Sequence, residues 1–244
     1  MNDQTRDAER ILRERSLKDI MSMAFKAHII IPAFNIPYLP MVKPVTSALK
    51  ATASFGLVEV ALPDIESFNA QSFRAVQQEY TKHADTAYMR LHQDHVPVID
   101  ENRELVDWKS TIKEALDLGF DSVMIDGSRL NLEDNIKATR TVVEMAHPKD
   151  IPVEGELGAV LGHEKGPLPP YEELFSSGKG FTDPQEAAEF VDSTGVDWLS
   201  VAIGNIHGAI SGAAKDRKKP DARLNQNLSK KSKLCRTLSS RSKL

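Results

Sequence analysis

The chain has 244 residues, of which 41% are apolar and 27% charged, the composition of a folded globular protein and not of a disordered one. Its net charge of −4 hides an uneven distribution, because the last twenty residues (225–244, NQNLSKKSKLCRTLSSRSKL) carry six Lys or Arg and no acid. Residues 1–224 therefore hold 25 basic against 35 acidic side chains, which argues against nucleic acid as a partner.

No run of 18 apolar residues spans a membrane, and the charged start MNDQTRDAERILRERSLKDI lacks the apolar region of a secretory signal, so the expected compartment is the cytoplasm. The single cysteine, Cys235, excludes an internal disulfide and a thiolate metal cluster, which leaves His and carboxylates as possible metal ligands.

In chain order, residues 8–26 predict one helix ahead of the first strand, a lid over the bottom of a sheet. Six short apolar runs follow, alternating with amphipathic stretches as in βα units around a parallel sheet. They are HIIIPAFN (28–35), FGLVEVALP (55–63), AYMRLHQDH (87–95), SVMIDGS (122–128), IPVEGELG (151–158) and WLSVAIG (198–204). Between them, VDWKSTIKEALDLG closes a helix on Gly119. Asn131 and Asp134 form a capping box opening a helix with Leu132, Ile136, Val143 and Met145 available for burial. Asp183 and Pro184 start another helix, which Gly195 stops. The Gly- and Pro-rich connection HEKGPLPPYEELFSSGKGFTDP is long enough to predict a functional loop. Residues 1–224 are expected to form one domain, and residues 225–244 a basic, disordered tail.

Chemistry in parallel α/β sheets gathers beyond the carboxyl ends of the strands. Those ends offer Asn35, Asp94, His95, Asp126, Ser128, Glu156, Asn205 and His207. Alternation along a strand sends Asp94 and His95 to opposite faces, so the third strand must bend at its rim for both to share a pocket, and Pro97 favours such a bend. Histidines on different strand ends with carboxylates nearby can hold Zn²⁺, and imidazole suits Fe or Co about as well. Taken singly, a His at a strand end is more often hydrogen-bonded than metal-bound. His92 reads as packing or as support for such a site, and His28, His83 and His147 as structural or solvated. Gly208 leaves room for a phosphate to approach backbone N–H groups.

LHQDH, SVMIDGS, VEGELG followed by GHE, and SVAIGNIHG stand in the order found in class II, metal-dependent fructose- and tagatose-bisphosphate aldolases, and PAFN also fits. The resemblance runs from about residue 10 to residue 225, and GPLPPYEELF resembles the middle loop of bacterial ketose-bisphosphate aldolases. It implies a TIM (β/α)8 barrel, here with about six of eight βα units. It also implies Zn²⁺ or another divalent metal, and reversible cleavage of a ketose 1,6-bisphosphate to dihydroxyacetone phosphate and an aldehyde phosphate. His95 and His207 match two of three zinc histidines, and Asp94 the acid/base at the hydroxyl next to the bond being cut. Glu164 matches a glutamate that exchanges a proton on the enediolate carbon. Asp126 and Glu156 match carboxylates that hold the metal in an alternative position, and Asn35 and Gly208 match substrate or phosphate contacts. A homodimer or higher homo-oligomer is expected.

The chain departs from the pattern at Gln93, where an aliphatic residue is common, and at Gly155, where Ala is common. The larger departure is past ARLN, where the family's third histidine is expected but QNLSKKSKLCRTLSSRSKL follows, as a truncated or shifted reading frame would produce. A catalytically defective homologue is therefore the alternative reading, and a different metal-dependent barrel enzyme, such as a hydrolase, a third.

Overall fold

The computed structural model describes residues 3–158 and 181–203. Six strands form one sheet in chain order: β1 (Ala33–Asn35), β2 (Gly56–Ala61), β3 (Met89–Pro97), β4 (Ser122–Asp126), β5 (Val153–Leu157) and β6 (Trp198–Val201). The helices are α1 (Asp3–Glu14), α2 (Leu17–Lys26), α3 (Val42–Ala51), α4 (Leu62–Glu66), α5 (Phe73–His83), α6 (Trp108–Leu118), α7 (Leu132–Ala146) and α8 (Pro184–Thr194). Strand and helix alternate from β2 onward, as the apolar runs predict. No described helix is long and apolar enough to cross a membrane.

The chain divides into two compact units. The first comprises Met1–Pro97, Asp107–Ile125 and Thr141–Glu154. In it β1 pairs parallel with β2, and β2 with β3, in a register that aligns Asn35 with Glu59, Glu59 with His92, and Ala61 with Asp94. Every residue of β2 is buried, as a strand covered on both faces requires. Val58, Val60, Met89, Leu91 and Ile112 are at most 1% exposed and build the core. At its C-terminal end α6 closes on Gly119, whose φ of +77° is the left-handed conformation that a side chain disfavours.

Two expectations for this unit are corrected. The first strand is three residues long and not eight, and Ile29 and Ile30 ahead of it are exposed, because no described element covers them. The N-terminal helix is two helices, since Ser16 adopts an extended backbone and its side chain accepts the Asp19 N–H, capping a new helix at Leu17. The pair does sit at the amino end of β3. Arg90, near the start of that strand, donates to the Leu12 and Arg15 carbonyls at 2.9 and 3.1 Å, and Tyr88 donates to Glu9 at 2.5 Å.

The second unit comprises Val98–Val106, Asp126–Arg140 and Gly155–Leu244. Asp183 caps α8 by accepting from the Gln185 and Glu186 N–H groups, and Gly195 ends it at φ +73°. The α7 cap forms as predicted, with the Asn131 side chain accepting the Asp134 N–H at 3.0 Å. The face of α7 is rotated from the expectation: Leu132, Ile136 and Met145 are half-buried, while Asn135 and Ala138 are buried in their place. Phe190, fully buried, stands where a Cβ on Gly155 would meet its ring at 2.9 Å, which accounts for glycine there.

Candidate functional site

Polar side chains collect at the carboxyl end of β3 and on the strands beside it. The β2–β3 register stops at Asp94, and His95 then takes φ +26°, a left-handed conformation that costs a residue with a Cβ on the order of 1–3 kcal/mol. The required bend is therefore present, and it lies in the histidine itself and not at Pro97. Such strain persists where the surroundings fix it, and it concentrates at functional sites. Asp94 and His95 are half-buried. Asn35, at the end of β1, donates through Nδ2 to Asp94 Oδ2 at 2.8 Å and to Asp64 Oδ2 at 3.4 Å. Asp64 also accepts the Ala61 N–H at 2.9 Å.

Below this pair, on the same unit, lies a cluster that sequence reading did not single out. Glu59, His92 and Asp94 each present a ligand atom within 4.8 Å of the other two. His92 is 1% exposed, with Nδ1 2.7 Å from Ser122 Oγ and Nε2 3.5 Å from Glu154 Oε2. Burial drives its pKa down to about 4, so the ring is neutral at neutral pH. The reverse holds for the acids. Loss of solvent, then the like charges of Asp94 and Glu154, push Glu59 up to about 8. Loss of solvent and Asp94 push Glu154 up to about 7, against the pull of His95. Desolvation also raises Asp64, opposed by the Ala61 N–H and Asn35. The signal for this cluster was available: Glu59 interrupts the apolar run FGLVEVALP, and a charge in a strand buried on both faces has to be compensated. His92 is packed in the core with polar neighbours on both ring nitrogens. His83 pairs with Glu79 at 3.1 Å, the structural role assigned to it.

In the second unit Asp126 ends β4 and Glu156 lies on β5, with carboxylate oxygens within 4.8 Å of one another. Glu156 is 2% exposed. Its backbone carbonyl accepts from Asn135 Nδ2 at 2.9 Å, and Thr139 donates to Asn135 Oδ1 at 3.1 Å. Asp126 Oδ1 accepts the Ser128 N–H at 2.9 Å. Gly127 is demanded by the same packing, because a Cβ there would lie 2.1 Å from Asn135 Oδ1. Two carboxylates this close, one of them buried, suit a divalent cation with oxygen or mixed ligands. Glu164, His207 and Gly208 lie outside the described residues, as does most of the long loop.

Comparison with known proteins bears on the family and the fold. Over 103 residues, 42% of the chain and 34% of the relative, the sequence is 44% identical to a fructose-bisphosphate aldolase of Staphylococcus aureus. Over 197 residues, 80% of the chain and 54% of the relative, it is 32% identical to a fructose-bisphosphate aldolase of Giardia intestinalis. The chain thus spans between a third and about half of the length of these relatives. Among solved structures, the YdjI aldolase of Escherichia coli K12 superposes with a TM-score of 0.61 at 29% identity, covering 79% of this chain and 63% of that one. The fructose-bisphosphate aldolase of Campylobacter jejuni gives a TM-score of 0.65 at 20% identity, over 93% and 65%, a likeness of fold. The described strands and helices are those of an α/β protein with six of the eight βα units of a TIM barrel. The family model of class II fructose-bisphosphate aldolases matches residues 15–233, and the chain belongs to that family.

Proposed function

We propose that the chain carries the site of a metal-dependent aldehyde lyase that cleaves a ketose 1,6-bisphosphate, fructose or tagatose, to dihydroxyacetone phosphate and an aldehyde phosphate. The observation that carries this reading is the Asp94–His95 pair at the bend of β3, with Asn35 holding one oxygen of Asp94 at 2.8 Å. A divalent cation such as Zn²⁺ would be held by His95 and His207, with the carboxylates Asp126 and Glu156 as an alternative position, donor types that suit such an ion. When bound, the cation supplies Lewis-acid stabilisation of the charge that develops on the substrate's oxygens.

The protein's own groups account for the proton movements. Asn35 fixes Asp94 Oδ2, which leaves lone pairs on the carboxylate to take the proton of the hydroxyl beside the bond being cut. In the synthetic direction Asp94 returns that proton. Glu164 exchanges the proton on the enediolate carbon, and Asn35 with Gly208 contacts the substrate or its phosphate. Family membership supports these roles, as does the order of the motifs along the chain. We place the chain in the cytoplasm as a homodimer or higher homo-oligomer.

A second reading is a homologue that holds metal without turnover, favoured by the departure of residues 225–244, with six Lys or Arg and no histidine, from the family's motif order. Release of dihydroxyacetone phosphate from fructose and tagatose bisphosphates, measured with Zn²⁺ and with chelator beside the bound metal per chain, separates the two. Metal-dependent release supports the lyase, at a rate expected to be below that of a full-length relative. Bound metal with no release supports the second reading, and neither metal nor release contradicts both.

A further inference from the structure

We infer that Glu59, His92 and Asp94 form a second divalent-cation site, deeper in the sheet than the His95 end of β3 and distinct from the ligands assigned above. Three observations meet there. The β1–β2–β3 register sets Asn35, Glu59 and His92 in consecutive positions across neighbouring strands, so the cluster is built on paired strands and not on loops. Glu59, His92 and Asp94 hold one ligand atom each within 4.8 Å of the others, and a cation with ligand distances of about 2.0–2.2 Å needs only small side-chain rotations to collect all three. Third, Glu59 is 8% exposed, on a strand buried throughout, and its side chain accepts no hydrogen bond from a described residue. A buried carboxyl group without a donor ionises only at a cost, and a bound cation offsets that cost by supplying the counter-charge.

The chemistry favours a metal over other cations. His92 Nδ1 lies 2.7 Å from Ser122 Oγ, and in the tautomer that donates there the Nε2 lone pair faces the acids, the arrangement by which a neighbouring hydroxyl or carbonyl orients a ligating imidazole. Two carboxylates and a neutral imidazole balance the charge of a divalent ion, and the nitrogen ligand selects Zn²⁺, Co²⁺ or Mn²⁺ over Ca²⁺ or an alkali ion. Asp94 already gives Oδ2 to Asn35, and a carboxylate has lone pairs enough to accept that bond and bind a cation as well.

Titration of the metal-free chain with Co²⁺, read by absorbance and by bound metal per chain, tests the site independently of lyase activity. The wild type should bind one equivalent more than Glu59→Gln, or bind it at least about tenfold more tightly, since loss of supporting partners alone costs 10–100-fold. The Glu59-dependent equivalent should persist in His95→Ala, whose loss of the other metal tests the lyase reading separately. Equal stoichiometry and affinity in wild type and Glu59→Gln would overturn the proposal. Should Glu59→Gln not fold, ¹¹³Cd added to ¹⁵N-histidine-labelled wild type decides: scalar coupling between cadmium and His92 Nε2 is expected, and its absence at saturation rejects the site.

Discussion

Asp94 is held by a hydrogen bond to Asn35 that an amide could also make, so Asp94→Asn keeps the geometry and removes the proton acceptor. Its turnover should fall by about 10²–10⁴-fold with little change in KM, and an unchanged turnover number would exclude Asp94 as the acid/base. His92 makes a stability prediction. The unfolded chain protonates this imidazole near pH 6.5, whereas the folded chain does so only near 4, so the unfolded state binds more protons between those values. The His92 contribution is therefore complete above pH 6.5 and is lost as the pH falls toward 4, by up to about 3 kcal/mol at about 1.4 kcal/mol per pH unit. Glu59 and Glu154, raised in the fold, act in the opposite sense between about pH 4.5 and 7–8. Denaturant unfolding of the metal-free wild type and His92→Asn isolates the histidine as a difference curve that falls below pH 6.5, and a flat difference would contradict it. At this scale the sequence disclosed the strand-end residues, because a charge or imidazole after an apolar run is visible in one dimension. It did not disclose the Glu59–His92 contact, which depends on the pairing register of β2 and β3.

Elements were legible where a local rule set them. The caps at Asn131, Asp183, Gly119 and Gly195 formed as read, because each is decided by a few adjacent residues. The first strand and the break at Ser16 were not, since apolarity alone cannot tell a covered strand from an exposed approach to one. The face of α7 was misjudged because Asn135 is buried for its hydrogen bond to the Glu156 carbonyl, a tertiary reason. That contact yields a test: Gly127→Ala drives a methyl into Asn135 and should cost about 1–3 kcal/mol in denaturant unfolding, whereas a neutral result would show that Asn135 is free to move. Between β3 and α6, Gln93 is fully buried and donates to the Thr111 carbonyl at 3.0 Å, while its Oε1 meets no partner among the described residues. Gln93→Met fills similar volume without an unpaired oxygen and should leave stability unchanged or raise it by about 1 kcal/mol. A loss above about 2 kcal/mol would show that the amide has a further partner.

For the whole molecule, the family and the α/β architecture were readable because four motifs recur in order along the chain, and their order survives where any single one is ambiguous. Among the described residues β1 and β6 are the edges of the sheet. β1 is exposed throughout and adjoins the exposed, apolar Ile29 and Ile30. A cation that binds only the folded chain adds stability by mass action, about 2.7 kcal/mol at a concentration 100 times its Kd, so melting temperature should rise with Zn²⁺. The most direct test of a metal-dependent lyase site at the β3 rim is proton exchange, followed by NMR as dihydroxyacetone phosphate is held in D₂O with the Zn²⁺-loaded chain. The site predicts loss of a C–H proton signal at a rate that depends on the metal and disappears in His95→Ala. Exchange no faster than in chain-free buffer, with Zn²⁺ shown to be bound, would contradict it.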